Sequence, residues 1–408
     1  MTTSAWRINK EYYDFSKFIK KHPGGSDYIK TTKFCDITNL LQSHHLDHKK
    51  MLKFLPAFKI DFNEGKKRWD EFHGLDKDSN KEDPFPSPSW DPEYLELKEE
   101  VNQFFKGENI KTPWYGWVWY FCWFIIFIII SKFYFVDESY IAAILMGVAA
   151  HSFLWFLLHE SSHVSLSNNN NINKICTFFL SPFVMVCAWR MQHDIFHHQF
   201  TNSKYDQDID FVHLSFPNSD NRKENKSYYI YQYLYHNISG ALYTIATYAS
   251  NYIRNYRYVN NLSAVLYFIV FLSFFIISPT ILHALIVHIV ASFLFAFFSQ
   301  INHIHEKELS MGKKRHDFLL SQISTSVNYK TPLWVRILNL DLFLSKQIEH
   351  HLFPGISHWN LYKITPVIKD FCKRKGIYYR EYPSAWLTWC AHIRYLKKAG
   401  DEANDNIY

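Results

Sequence analysis

Cysteine is scarce in this chain, and its six cysteines form no C-x-x-C pair. Short-spaced cysteine pairs are the usual ligands of zinc knuckles, and sets of cysteines form the disulfide frameworks of small secreted domains. Neither class of protein fits this pattern, so we expect the chain to face a reducing, cytosolic environment. The cysteines are Cys35, Cys122, Cys176, Cys187, Cys372 and Cys390.

Long runs of lysine or arginine are also missing, and the net charge is only +6, from 44 basic and 38 acidic residues. Nucleic-acid-binding proteins usually carry a concentrated basic patch, so no nucleic-acid partner is predicted. The N-terminus is polar, which predicts no cleavable signal peptide. Any insertion into a membrane must therefore come from internal segments.

Apolar residues, in contrast, are abundant. They make up 48% of the chain, and four stretches of 18 or 19 residues contain no charge. A helix needs roughly 20 apolar residues to cross a bilayer, so the stretches predict four transmembrane helices in two hairpins. The alternative is that they are buried core helices of a soluble protein. The stretches are Trp114–Ser131, Tyr140–Leu158, Asn261–Ser278 and Thr280–Phe298.

The charges between these stretches predict an orientation. The short turn of the first hairpin contains Asp137 and Glu138, whereas the long segment between the hairpins is rich in basic residues. Positive residues favour the cytosolic side, so we expect this segment and both termini to be cytosolic. The basic residues are Lys204, Arg222, Lys223, Lys226, Arg254 and Arg257.

The N-terminal region offers two histidines that could bind a haem. The motif His22-Pro-Gly-Gly25 precedes a predicted helical stretch that ends at His44 and His45, in an aromatic and aliphatic setting. Two imidazoles that bind a haem iron from opposite sides leave no position for oxygen. Such an iron transfers electrons and does little else.

These residues resemble cytochrome b5 domains, in which His-Pro-Gly-Gly is followed by Asp-x-Thr, here Asp36-Ile-Thr38. The resemblance implies a small α+β domain at residues 1–63, haem b as its cofactor, and an NAD(P)H-dependent cytochrome b5 reductase as electron donor. It makes His22 and His45 the axial ligands, with His44 as a competitor of His45. A b5 fold that binds no haem is the alternative.

The charge of this region departs from the family pattern. Residues 1–63 contain eleven basic and six acidic residues, whereas cytochrome b5 domains usually present an acidic face to their reductase. This excess of basic residues disfavours electrostatic docking of the usual kind with a reductase.

Four histidine clusters follow, each next to a predicted membrane span. A spacing of four places both imidazoles of the first cluster on one helix face. In the second cluster, His193 and His197 are expected to share a face and His198 to be turned by roughly 100°, so that one motif could serve two metal ions. The predicted orientation places all four clusters on the cytosolic side. They are His159-Glu-Ser-Ser-His163, His193-Asp-Ile-Phe-His197-His198, Gln300-Ile-Asn-His303-Ile-His305 and Gln347-Ile-Glu-His350-His351.

Imidazole ligands suit iron, copper and zinc, whereas magnesium and calcium prefer oxygen ligands. About eight imidazoles exceed the needs of one ion, so two metal ions are predicted. Iron is favoured because an electron-delivering haem precedes the site, and a zinc hydrolase would have no use for electrons.

Three of the clusters resemble the histidine boxes of membrane fatty acid desaturases: the first box is His159–His163, the second His193–His198 and the third Gln347–His351. The stretch Gln347-Ile-Glu-His-His-Leu-Phe-Pro354 resembles the form found in cytochrome b5-fused, "front-end" desaturases. The lead-in Trp189-Arg-Met-Gln-His193 and the module order are similar to insect cytochrome b5-related proteins. The resemblance implies an all-α membrane desaturase domain with a cytosolic helical cap at residues 111–380. A linker and pre-membrane helix would occupy residues 64–110, and a C-terminal tail residues 381–408. It also implies a multi-pass location in the endoplasmic reticulum membrane.

The same resemblance implies a ligand set for two irons. Gln347 stands where other desaturases have a histidine, and it would be a weak ligand or a hydrogen-bond donor. His305, Asn202, Asp208 and Asp210 are further candidates, as ligands or as partners that orient the imidazoles. The implied ligands are His159, His163, His193, His197, His198, His303, His350 and His351.

The reaction implied is O2-dependent introduction of a C=C bond into a fatty acyl chain, carried as an acyl-lipid or acyl-CoA, with electrons from the haem. Hydroxylation of a lipid or sphingolipid at the same di-iron site is an alternative, because the boxes alone do not separate the two. Another reading takes His159-Glu-x-x-His163 as an intramembrane zinc metalloprotease motif with Glu160 as general base. A last alternative is a non-enzymatic haem protein whose iron site has decayed.

Overall fold

The computed structural model of the protein describes residues 4–78, 80–208, 227–305 and 317–405. These residues are mostly helical, with two short two-stranded sheets. The predicted domain boundaries at residues 63, 110 and 380 stay predictions, although the elements on either side of each can be described.

The N-terminal unit is built on an antiparallel pair of strands, Trp6–Ile8 and Glu11–Tyr13, in which Arg7 lies opposite Tyr12. Four helices follow the strands and surround them: Ser26–Thr31, Thr38–His44, His48–Phe54 and Phe62–His73. Buried aromatic and aliphatic side chains, among them Trp6, form the core of this unit. It therefore has the mixed α and β composition expected of a small haem domain.

The segment expected to be a linker packs back onto this unit. Arg7 is buried, and its guanidinium donates to the carboxylates of Asp36 and Asp83 at 2.7 and 2.6 Å and to the backbone carbonyl of Phe85 at 2.8 Å. A buried charge must be paired to offset its desolvation. Arg7 therefore fastens the proline-punctuated stretch to the haem-domain strands.

Three described helices are long and apolar enough to cross a membrane: Trp114–Phe135, Tyr140–Ser162 and Ile281–Ile301. The fourth predicted span forms a shorter apolar helix of 17 residues, Asn261–Ile277. The most apolar window of the first helix is only 17% buried, whereas that of the second is 78% buried. The second helix is thus the central one, and the first presents most of its apolar surface outward.

The connections within the two hairpins lie together at one end of these helices. The Tyr134 hydroxyl donates to Ser278 Oγ at 2.8 Å, and His283 Nε2 donates to the backbone carbonyl of Glu138 at 2.9 Å. The opposite helix ends carry His159, at the end of the second helix, and His303, just beyond Ile301. The histidine boxes are therefore gathered at the end of the bundle away from the hairpin turns.

A layer of helices covers that end of the bundle. Tyr94, Leu97 and Val101 of one helix pack with Ile348 and Leu352 in a single buried core. Asn328–Tyr329 pairs in parallel with Glu381–Tyr382 beside this layer. The helices that contribute to this core are Pro92–Phe105, Phe318–Thr325, Gln347–Leu352 and His358–Lys375.

The segment expected to be a C-terminal tail contains a 21-residue helix, Ala385–Asp405. It packs on the rest of the protein: Gln232 Nε2 donates to the carbonyl of Leu396 at 2.9 Å, and His392 Nδ1 donates to that of Ile304 at 2.8 Å. Leu396 is fully buried, which gives this helix an apolar anchor against the segment that follows the Ile281–Ile301 helix. The other α-helices of the described residues are Asn170–Phe178, Val186–Arg190, His198–Phe200, Gln232–Ser239, Tyr243–Asn255 and Leu333–Leu338.

Candidate metal centre and haem cavity

Eight buried histidines from distant parts of the chain converge in two neighbouring groups. Within each group, every residue offers a nitrogen within 4.8 Å of the others. All eight were expected from the sequence as metal ligands. The larger group, called the five-histidine cluster, contains His159, His163, His193, His198 and His350; the smaller one, the three-histidine cluster, contains His197, His303 and His351.

The second box divides its histidines between the two clusters because its helix is not a regular α-helix. Residues Met191–His197 form a π-helix, which winds more loosely than the α-helix assumed from the sequence. His193 and His198 consequently meet, with their Nε2 atoms 3.2 Å apart, while His197 enters the three-histidine cluster. His193 and His197 still share a face, with their rings stacked 5.3 Å apart and Asp208 beside them, and the second box supplies histidines to both clusters.

The two clusters share a wall. The rings of His198 and His351 stack with centroids 4.4 Å apart, and His198 and His350 are 4.7 Å apart. His350 and His351 are adjacent residues of the short helix Gln347–Leu352, which therefore delivers one ring to each cluster. Two metal ions bound in the clusters would be neighbours.

Hydrogen bonds fix the orientation of the imidazoles. His193 Nδ1 donates to Asp208 at 2.5 Å and His197 Nδ1 donates to Asp206 at 3.0 Å. His303 Nδ1 donates to the carbonyl of Thr325 at 2.9 Å. Such contacts set the tautomer and leave the other ring nitrogen as the free lone pair that a metal requires.

Several cluster nitrogens are buried with no hydrogen-bond partner in the described part of the chain. They include both nitrogens of His163 and of His350 and the Nε2 atom of His351. Burial lowers the pKa of these three histidines well below the ordinary value, and the neighbouring imidazoles add to that shift. Buried imidazole nitrogens that converge without hydrogen-bond partners from the protein are costly unless an ion binds them, so the donor set fits two metal ions.

The remaining sequence candidates occupy different places. Gln347 lies in the site, where its amide donates to His303 Nε2 at 2.9 Å. His305 belongs to neither cluster; its Nδ1 lies 3.2 Å from Arg380 Nη1. Asn202 donates to the backbone carbonyl of His303 rather than to an imidazole. Asp208 contacts His193 as expected, and Asp210 lies outside the described residues.

Sequence reasoning missed two residues at this site. Asp206 accepts a hydrogen bond from His197 and orients its ring. The sequence predicted Asp208 and Asp210 for such a role but not Asp206, although all three carboxylates follow the second box. His358 lies with its ring centroid 4.5 Å from that of His350 and 5.0 Å from that of His159. His358 follows the third box by seven residues and matches no box spacing, so the sequence contained no signal for it.

Glu160 is engaged away from the clusters. Its carboxylate accepts hydrogen bonds from His358 Nδ1 and Ser357 Oγ, both at 2.6 Å, and from Thr112 Oγ1 at 3.2 Å. A metalloprotease general base must instead reach a metal-bound water. The arrangement thus argues against the metalloprotease reading of this motif.

A small, mostly apolar cavity adjoins both clusters. Its volume of about 30 Å³ holds a molecule the size of water or O2, so a larger ligand requires its walls to part. Its walls combine cluster histidines with the side chains of Trp155, Tyr243, Phe295, Leu342 and Leu344, and the polar side chains of Asp208, Ser299, Gln300 and Gln347 complete them.

A second cavity, of about 630 Å³, lies in the N-terminal unit. This volume is within the range of roughly 300–1,000 Å³ that small-molecule and cofactor sites occupy. His22 and His45 face each other across it, with ring centroids 6.1 Å apart. Apolar residues dominate the wall: Phe15, Phe18, Ile37, Leu40, Leu41, Met51, Phe54, Leu55 and Phe58.

Each of the two facing rings has one nitrogen engaged by the backbone. His22 Nδ1 donates to the carbonyl of Gly25 at 3.0 Å, and His45 Nδ1 donates to that of Leu41 at 3.1 Å. Each Nε2 is left as an acceptor, and two nitrogen–metal bonds of about 2 Å each fit between rings at this separation. Both the histidines and the apolar wall fit a haem. Of the two adjacent candidates, it is His45 whose ring faces His22.

Comparison with known proteins agrees with this arrangement. Residues 138–383 match the fatty acid desaturase family, and residues 2–60 match the cytochrome b5-like haem/steroid-binding domain. The chain belongs to the fatty acid desaturase family. Its N-terminal unit is a fused cytochrome b5-like domain.

Relatives share this architecture over nearly their whole length. A probable Delta(5) fatty acid desaturase C of Dictyostelium discoideum is 26% identical, covering 96% of this chain and 91% of the relative. An acyl-lipid (8-3)-desaturase of Physcomitrium patens is 25% identical, over 95% and 86%. Fatty acid desaturase 3 of Homo sapiens is 25% identical, over 97% and 89%.

These matches establish the class of reaction. The protein is a membrane-associated fatty acid desaturase, an oxidoreductase that uses O2, a di-iron centre and the haem of its cytochrome b5-like domain. The expectations of a desaturase and of haem and iron cofactors are confirmed. The assignment of each metal to particular histidines stays a prediction.

Proposed function

We propose that this desaturase is of the front-end type and acts on fatty acyl chains held in lipids. The five-histidine cluster and the three-histidine cluster each hold one iron, and His22 and His45 hold the haem. The observation that carries this assignment is the convergence of eight buried imidazoles, with unpartnered nitrogens in both clusters. Gln347 lies beside the three-histidine cluster, as a weak ligand or a hydrogen-bond donor to His303.

When bound, the irons activate O2 and the haem supplies electrons one at a time. The protein's own side chains bind, orient and exclude water. Asp206 and Asp208 hold His197 and His193 in the tautomer that binds metal. Trp155, Tyr243 and Phe295 keep the adjoining cavity apolar, so the acyl carbons would meet the clusters without competing water.

The position of the new double bond is set by how far an acyl chain reaches past the clusters. The relatives are named as Delta(5) and as (8-3) desaturases, which supports a defined position for the new double bond. Each methylene contributes only about 0.8 kcal/mol of binding. The depth to which the acyl chain can enter its binding slot would therefore determine the position of the double bond more sharply than differences in binding affinity would.

We also infer a membrane arrangement with four crossings in the endoplasmic reticulum membrane, with both termini and both clusters on the cytosolic side. The helix Asn261–Ile277 has 17 residues, against 21 to 23 in the three longer helices, and it is joined to Ile281–Ile301 by a short turn. The gathering of the boxes at the end opposite the hairpin turns supports this topology. A cytochrome b5 reductase would then reach the haem domain from the cytosol.

Expression in yeast tests the reaction. Cells are supplied with a panel of saturated, monounsaturated and polyunsaturated fatty acids, and their lipids are analysed by mass spectrometry. We expect a product with two hydrogens fewer than one of the supplied acids, and none from the variant His351→Ala. A product that has gained one oxygen would identify a hydroxylase, and unchanged lipids across the panel would contradict the proposal.

A further inference from the structure

The haem cavity is closed on its inner side by the desaturase domain. Besides residues of the cytochrome b5-like domain, its lining includes Lys111, His163, Val164 and Gly355. His163 belongs to the five-histidine cluster. One side chain is therefore shared between the wall of the haem cavity and the candidate metal centre.

Direct contacts hold the two domains in this position. The Tyr28 hydroxyl donates to Asp194 at 2.9 Å, and Asn170 Nδ2 donates to the carbonyl of Pro23 at 2.7 Å. The side chain of Gln199, the residue after His198, accepts a hydrogen bond from the backbone N–H of Leu40 at 3.0 Å. The helix Thr38–His44 is thus tied directly to the second histidine box.

His44, the last residue of that helix, lies between the two sites. Its ring centroid is 5.8 Å from that of His163, and it lines the haem cavity. Its Nδ1 donates to the carbonyl of Leu40 at 3.1 Å, which fixes the ring. Its Nε2 is buried and has no hydrogen-bond partner among residues that the structure describes.

His163 connects the wall of the haem cavity to other members of the five-histidine cluster. The His163 ring is 4.4 Å from that of His198 and 4.9 Å from that of His350. The backbone of Gly355 approaches His44 so closely that an added Cβ would lie 3.3 Å from the His44 carbonyl oxygen. The segment after the third box, the first box and the haem cavity therefore meet at His44, whose backbone contacts Gly355 and whose ring contacts His163.

We propose that His44 is a positioning residue for electron transfer, which holds His163 against the haem and so completes the shortest packed route from the haem to the five-histidine cluster. One electron passes per event: ferrous haem becomes ferric, and the ferric ion of the cluster becomes ferrous. No bond is made or broken. The inference rests on the proposed function, because it assumes that the cluster holds a redox-active iron.

The test compares the full-length protein with His44→Ala, which opens a gap beside His163, and His44→Phe, which keeps the ring volume without the imidazole nitrogens. His48→Ala is the matched control, since His48 lies on the neighbouring helix and does not line the cavity. The haem is reduced anaerobically, the protein is mixed with O2 and acyl substrate, and oxidation of the haem is followed by its absorbance. The haem midpoint potential and the non-haem iron content are measured for each variant.

We expect His44→Ala to slow haem oxidation at least tenfold, with the potential and iron content unchanged, and His44→Phe to recover part of the rate. His48→Ala should match the unaltered protein. Equal rates in His44→Ala would overturn the inference, and so would a loss of iron or a shifted potential that accounts for the slower rate. If the unaltered protein forms no desaturated product, the proposed function itself fails, which separates the two outcomes.

Discussion

His358 donates from Nδ1 to Oε1 of Glu160 at 2.6 Å, and both side chains are completely buried. This contact joins the first histidine box to the helix that follows the third. The Ser357 hydroxyl and the His358 backbone N–H donate to the same carboxylate at 2.6 and 2.9 Å. The pair therefore fixes His159 and His350 relative to each other through residues that lie outside both clusters.

Replacing Glu160 with alanine should destabilise the protein strongly. The substitution leaves several buried donors without an acceptor, and breaking a buried pair of this kind costs roughly 3–5 kcal/mol. Glu160→Gln should cost less, because its amide oxygen still accepts. Thermal unfolding in detergent measures both, with Glu108→Ala at an exposed position as control. Equal unfolding temperatures for Glu160→Ala and the control would contradict this role.

The haem should depend on His22 and His45 but not on His44. His22→Ala and His45→Ala each remove one of the two rings that face each other across the cavity, so the purified variants should lack the haem absorbance band. His44→Phe should keep it. Haem content per chain, measured from the absorbance of the pyridine complex, checks this. Retention of haem by His45→Ala with loss in His44→Phe would reverse the assignment.

Non-haem iron should follow membership of the two clusters. His198→Ala and His351→Ala each remove a ligand at the shared wall and should lower bound iron. His305→Gln should retain the full amount, because His305 lies against Arg380 and outside both clusters. Elemental analysis of the purified variants gives the count. Loss of iron in His305→Gln would show that this histidine is a ligand after all.

Asp208 should affect the metal site without binding the metal. Asp208→Ala removes the acceptor of His193 Nδ1, so the ring loses its fixed tautomer, and metal affinity should fall about 10–100-fold. Chelator competition compares the variant with Asp137→Asn, whose carboxylate pairs with Lys132 in an exposed turn. An affinity equal to that of the control would show that the hydrogen bond has no such role.

The sequence predicted the ligand types of this site better than their grouping. The resemblance to desaturase boxes selected all eight clustered histidines, and the spacing within the boxes accounts for the pairs that share a helix face. The division between the clusters could not be derived in the same way. It depends on the π-helix at Met191–His197, and periodicity arguments assume regular winding.

Contacts between segments that are distant in the chain also could not be predicted from the sequence. His358 and Asp206 reach the site only through the fold, and the choice between His44 and His45 depended on which ring faces His22. The apolar stretches were located by composition, but the extent of each helix was set by its packing. The C-terminal segment has mixed polarity and suggested a tail, whereas burial of Leu396 and Ala399 along one face holds it as a helix.

An iron and haem count on the purified, full-length protein tests the account most directly. The arrangement of His22 and His45 and of the two clusters predicts one haem and two non-haem irons per chain. A single zinc ion in place of the two irons, or one non-haem iron with half of these histidines left unligated, would contradict it.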